Sequence, residues 1–157
     1  MILSIHAITG AVLASNSNNL AQVILIGVIS HYFLDSIPHV EYKVENIQRG
    51  DLKKAGREFV KIFFDLLIGL IFILYIIKNN ASHQPFLILS GSFFALLPDG
   101  LYFLDCLVKN KEKNIFTKFL KKHSIFHEKT HSIISNKIIT IPSQIIIVLS
   151  LIYIIFK

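Results

Sequence analysis

The sequence predicts an all-α fold: a polytopic membrane helix bundle of about five hydrophobic helices plus one interfacial amphipathic helix. Three observations predict it. Hydrophobic residues make up 53% of the 157-residue chain and charged residues only 17%, with a mean hydropathy of +0.60. The apolar residues are gathered in long blocks, as bilayer-spanning helices require. The basic residues lie between those blocks, as membrane orientation requires. The length suits a single integral membrane domain over residues 1–157.

The blocks follow in order. Met1 to Ala14 is apolar except for Ser4, His6 and Thr9. As a helix it would be about 20 Å long, against a hydrocarbon core of about 30 Å, so it spans with local thinning or is a half-helix. Its start has no basic region and no clear cleavage site, and His6 interrupts its apolar run, so it is expected to belong to the mature protein. Ser15 to Asn19 reads as a turn. Leu20 to about Ile37 is the second helix. Pro38 lacks a backbone donor and disfavours helical angles at Ile37, which predicts an end near Ser36 with His39 folding back. Glu41 to Arg57 is polar and basic. Glu58 to Ile77 is a span carrying Lys61 and Asp65, followed by a loop from Lys78 to Gln84. Pro85 to about Cys106 is the next span and contains Pro98-Asp99-Gly100. Leu107 to Lys137 is a long basic segment, and Ile138 to Phe156 closes the chain as an apolar helix. Within the basic segment, Ile115, Phe116, Phe119 and Leu120 recur at helical spacing among Lys118, Lys121 and Lys122. That pattern predicts an amphipathic helix on the inner surface, drawn to anionic lipid.

The formal charge is +6, which membrane orientation explains without nucleic acid as a partner. The 41–57 loop holds five Lys and Arg and the 107–137 loop holds eight, whereas the 78–84 loop holds one. Both large loops are therefore expected on the cytoplasmic side, with the C-terminus outside. The expected location is the cytoplasmic (inner) membrane, the expected partner is membrane lipid, and the oligomeric state stays open. The single cysteine, Cys106, excludes an intramolecular disulfide and a cysteine-only metal site.

The chemistry gathers around SHYFLDSIPHVEY, Ser30 to Tyr42. His31, Asp35 and His39 lie at i, i+4 and i+8. Two imidazoles and a carboxylate form a ligand set for a borderline divalent metal. The other spans carry matching groups. Measured by helical rise, His6, His31, Asp35, Asp65 and Asp99 each lie within about 10 Å of the inner end of their helix. Ionisable groups at membrane depth face each other, water or an ion, and a cation would offset the repulsion of Asp35, Asp65 and Asp99. The inner loop adds His123, His127 and His131, again at i, i+4 and i+8. His127-Glu128-Lys129-Thr130-His131 matches HExxH, in which two histidines bind zinc and the glutamate acts as base.

Each group also has a plainer reading. His6 alone is an ordinary interfacial residue, and Asp65 alone is a partner for Lys61 at i−4. His123 is the weakest of the late histidines. Asp105 adjoins the basic segment and is expected to be solvated, and His83 in the opposite loop is expected to be inert. Phe63, Phe64, Phe93 and Phe94 read as lipid-facing or packing residues.

Together these pieces resemble the YdjM-like family of inner-membrane, metal-dependent hydrolases. SIHAITGAVLA, SHYFLDSIPH, ALLPDGLYFLD and FHEKTHS carry the likeness over nearly the whole chain. The resemblance implies a helical membrane hydrolase whose metal site comprises His6, His31, Asp35, Asp99, His127 and His131. FHEKTHS spaces its histidines more closely than the family's late motif, and Thr130-His131-Ser132 is its better-matching part. HYFLDSIPH is also partly similar to a segment of zinc-dependent phospholipases C, which directs the substrate expectation toward phosphate esters.

The expected function is thus metal-dependent hydrolysis of phosphate esters or phospholipid head groups at the cytoplasmic face. One or two divalent ions are expected, zinc by ligand type or else manganese. The expected ligands are His6, His31, Asp35, Asp99 and His131, joined by His39 and His127. Glu128 or an unligated carboxylate, Asp65 being the candidate, would be the catalytic base. Two alternatives stand beside this reading. One is an intramembrane metalloprotease, from HEKTH with LPDG. The other is a non-catalytic metal-binding or ion-transport membrane protein, since intramembrane Asp and His also serve ion paths.

Overall fold

The computed structural model of the chain describes residues 2–39, 42–79, 84–108, 114–131 and 137–156. His83 and Ser132 lie outside the described residues. The described residues are helical, with no strand among them. The helices are α1 (Leu3–Ser15), α2 (Leu20–Ser36), α3 (Glu45–Gln48), α4 (Gly56–Asn79), α5 (Pro85–Leu107), α6 (Ile115–Thr130) and α7 (Lys137–Phe156).

The five hydrophobic helices are α1, α2, α4, α5 and α7. Among the described residues, only α4 and α5 are long and apolar enough to cross a membrane by themselves. The basic 41–57 stretch also contains a helix that the sequence reading did not anticipate, the single turn α3. Its apolar content is too low to announce it. The Glu58 carboxylate holds it instead, accepting from Asn46 N at 3.0 Å, Asn46 Nδ2 at 2.7 Å and Ile47 N at 2.9 Å. A carboxylate suits the exposed donors at a helix start.

Short as it is, α1 forms the centre of the bundle. It packs most extensively on α5 and α4, then on α2, and also touches α7. Nine of its 13 residues are buried, among them Ala7, Gly10, Ala11 and Ala14. A helix hydrophobic on every side belongs in an interior. Its small residues let its neighbours approach closely. A Cβ on Gly10 would overlap the carbonyl oxygen of Gly91 on α5, and a Cβ on Gly91 would overlap that of Gly10. Small residues at such crossings are how membrane helices gain packing energy without a hydrophobic driving force. Ile5, Ile8 and Val12 of α1 join Leu34, Ile73, Ile76 and Ile88 in the core.

Asp65 of α4 closes the N-terminal end of α1. Its carboxylate accepts from Ser4 N at 3.3 Å and from Tyr42 OH at 3.2 Å. A buried carboxylate is there compensated by the partial positive charge of a helix start.

Two prolines shape the elements that carry the site. Pro38 stops α2 at Ser36, and Ile37 is extended at ψ 134°. Pro98 sits inside α5. It cannot donate to the Phe94 carbonyl, so it loosens the turn that contains Ala95. On α7, Ser143 Oγ donates to the Pro38 carbonyl and ties that helix to the α2 corner. Asp105, expected in solvent, is buried at 7% exposure, because α5 continues to Leu107 and keeps it inside the end of the bundle.

The α1–α5 crossing yields a direct test. Gly91→Leu is expected to cost roughly 3 kcal/mol by overpacking, a drop of about 6–12 °C in the midpoint of the detergent-solubilised protein. Gly100→Leu meets nothing within 4 Å and should leave the midpoint nearly unchanged.

Candidate metal centre

Three helix ends, the interior of α5 and a loop bring seven ionisable side chains together. His6 comes from the first turns of α1, and His31 and Asp35 from the last turns of α2. His39 comes from the segment beyond Pro38, and Asp99 from the turn after Pro98 in α5. His127 lies in the last turn of α6 and His131 caps it. Asp35, at 1% exposure, is the hub, and His6, His31 and His39 are fully buried.

The two oxygens of Asp35 face different partners. Oδ2 lies 3.1 Å from His31 Nε2 and 3.4 Å from His127 Nε2. Oδ1 lies 3.1 Å from His6 Nε2 and 3.8 Å from His131 Nε2. Asp99 Oδ1 is 3.3 Å from His127 Nε2. Two groups therefore meet at one carboxylate. His31, Asp35, Asp99 and His127 form one, and Asp35, His39 and His131 the other; in each, one ligand atom per residue lies within 4.8 Å of all the rest. The rings of His6 and His31 stack at 4.3 Å, and those of His39 and His131 meet edge-on at 4.7 Å.

Backbone carbonyls set the ring orientations. His31 Nδ1–H donates to Ala95 O at 2.8 Å, and His39 Nδ1–H donates to Ile37 O at 2.7 Å. In a neutral ring, an Nδ1–H donated to a carbonyl leaves the lone pair on Nε2, the arrangement typical of metal-ligating histidine. The first of these carbonyls belongs to the turn loosened by Pro98, and the second to the residue preceding Pro38. The prolines thus help aim the rings.

These residues can hold a metal ion. His31 Nε2 and His127 Nε2 are 3.1 Å apart, so both cannot carry protons pointed at each other. At least one bare lone pair faces a carboxylate that also only accepts. His6 is fully buried, and neither of its ring nitrogens makes an aligned hydrogen bond, although Nε2 is close to Asp35. A cation would satisfy the facing acceptors of His31, Asp35, Asp99 and His127. The spacing suits one too. Ligand atoms bound tetrahedrally at zinc-like bond lengths lie about 3.3 Å from each other, and the contacts among His31, Asp35, His127 and Asp99 Oδ1 named above run from 3.1 to 3.4 Å.

Of the seven residues expected as ligands from the sequence, His31, Asp35, His39, Asp99, His127 and His131 fall in the two groups, and His6 lies outside them, 3.1 Å from Asp35 Oδ1. The two expected as catalytic do not join the ligand groups. Asp65 caps α1, as described above. Glu128 accepts from Tyr102 OH at 3.2 Å and lines a cavity beside the cluster. His123 is bonded to Tyr32 OH at 3.0 Å, outside both groups. Burial, and then the imidazoles of His127 and His31, hold it below the ordinary histidine range. The helical part of HExxH ends at Thr130, leaving His131 in extended geometry at ψ 113°. His127 and His131 consequently approach opposite oxygens of Asp35.

No family model, curated protein or solved structure matches this chain. The fold and the site therefore define its class: a helical bundle with two membrane-length helices and a buried His/Asp cluster able to bind a metal.

Cobalt(II) substitution reads the ligand set optically. The reloaded protein is expected to show visible d–d absorption that His31→Ala and His127→Ala abolish. His123→Ala and Asp65→Asn should retain it, the latter with a midpoint lowered by the loss of about 1 kcal/mol of capping.

Proposed function

We propose that this chain is an integral membrane hydrolase of phosphate esters, metal-dependent and akin to the YdjM-like enzymes its motifs resemble. The observation that carries the reading is the position of Asp35, shared by two adjoining ligand groups. On this reading His31, Asp35, Asp99 and His127 would hold one divalent ion, and Asp35, His39 and His131, with His6 beside them, would hold a second. Imidazole and carboxylate donors favour zinc, with manganese the next choice. Such ions supply Lewis-acid polarisation of a phosphoryl oxygen and make water acidic enough to ionise near neutral pH. Asp99, partly exposed at 24%, and His127 present the cluster to the neighbouring cavity. Glu128, at the same cavity, is placed to accept a proton from the attacking water.

Membrane insertion is supported by what α4 and α5 leave uncovered. Only 22% and 28% of their most apolar 18-residue windows are buried, which favours a lipid-facing setting over the core of a soluble fold. Val60, Phe63, Phe64, Ile68, Ile71 and Leu74 form an outward apolar band on α4, more than a soluble monomer tolerates. The basic loops orient the cluster toward the cytoplasm of an inner membrane. The site-2-protease-like reading is disfavoured because His127 and His131 diverge around Asp35 instead of sharing one ion.

The protein, held in detergent or nanodiscs, should hydrolyse p-nitrophenyl phosphate. Dialysis against a chelator should abolish turnover, and zinc or manganese should restore it. Asp35→Ala should cost at least about 10³-fold in kcat, and Glu128→Gln about 10²-fold with metal retained. Unchanged turnover in Asp35→Ala would contradict the proposal.

A further inference from the structure

The cluster opens onto a cavity of about 750 Å³ whose lining is of two kinds. Asp99, His127, His131 and Glu128 supply polar groups. Phe59, Ile62 and Leu66 of α4 and Leu96 and Phe103 of α5 supply apolar walls. These two helices make few contacts with each other; α1 lies against both and the cavity fills the space between them. On the loop side α3 forms the roof with Ile47 and Gln48. Glu58 fixes that roof to α4 through the backbone of Asn46 and Ile47. A volume of this size is in the range of ligand sites. A water-soluble phosphate ester would leave the apolar walls unused, and a plain hydrocarbon would leave the His/Asp groups unmatched.

We infer that the cleft between α4 and α5 seats the hydrocarbon chain of an amphiphilic phosphate ester, with its phosphate group against Asp99, His127 and His131. The substrate is then a lipid phosphate that reaches the site sideways from the bilayer, between the same helices whose outer faces meet lipid. The inference rests on the phosphate-ester reading of the metal centre, and it adds the substrate class and the route. Ile62 and Leu66 become specificity residues, because they touch the chain and not the reacting group.

The test is a binding measurement that needs no turnover. Hexadecylphosphonate and methylphosphonate are titrated into metal-loaded protein in zwitterionic nanodiscs and followed by thermal shift. Ile62→Trp and Leu66→Trp each fill the cleft, and Ile71→Trp, on the lipid-facing side at 58% exposure, is the control. The expected result is at least a tenfold weaker response to hexadecylphosphonate in either cleft variant, with methylphosphonate binding and metal content unchanged. Ile71→Trp should match the parent protein. Partitioning of the probe into the nanodisc is the same for all four proteins and cancels. Equal hexadecylphosphonate responses in the parent and both cleft variants would overturn the chain-binding cleft while leaving a hydrolase of soluble esters intact. Normal chain-dependent binding without hydrolysis of any phosphate ester would retain the cleft and remove the hydrolase.

Discussion

A carboxylate at 1% exposure with four imidazoles within 4 Å constrains everything around it. Removing an ionised carboxylate from water costs several kcal/mol even after relaxation, so Asp35 requires compensating charge. Protonation of a neighbouring imidazole can supply it, although His31 and His127 turn their Nε2 atoms toward each other and cannot both carry a proton there. A cation held by these residues would supply it as well, and the helices converge on a group able to hold one. The central helix α1 brings His6, α2 ends at the site, α5 carries Asp99 to it directly after Pro98, and α6 places His127 beside Asp99.

That convergence depends on packing at a distance. The close crossing of α1 and α5 at Gly10 and Gly91 lets His6 meet Asp35 while Asp99 meets His127. Asp65 serves the same end by stabilising the start of α1, only two residues before His6. A buried carboxylate can thus support a site without belonging to it. The opening between α4 and α5 is the complementary feature. These helices contact α1 more than each other, so the bundle is closed around the ligands and open along one side.

Much of this was legible from the chain. Hydrophobic blocks gave five apolar helices, and Pro38 gave the end of α2 and the return of His39. The ligand residues could be found because a His or Asp in an apolar run has few structural excuses, and because their depths agreed. What stayed hidden depended on partners distant in sequence. Glu58 reads as a surface residue until Asn46 and Ile47 are seen to fold onto it. Asp65 resembles a ligand until Ser4 N and Tyr42 are seen to occupy it. Asp105 looks solvated because its neighbours in sequence are basic, yet α5 carries it inside. The division of Asp35 between two groups was equally invisible, since residue spacing reports depth and face but not which oxygen meets which ring.

The central claim is that this buried cluster binds metal. Elemental analysis of the purified protein beside a folded His31→Ala/Asp35→Ala double variant tests it most directly. One to two equivalents of zinc or manganese in the parent protein, lost in the variant, is the predicted result. No metal in either protein, even after reloading with both ions, would contradict the account and leave the His/Asp cluster as a proton-sharing polar network.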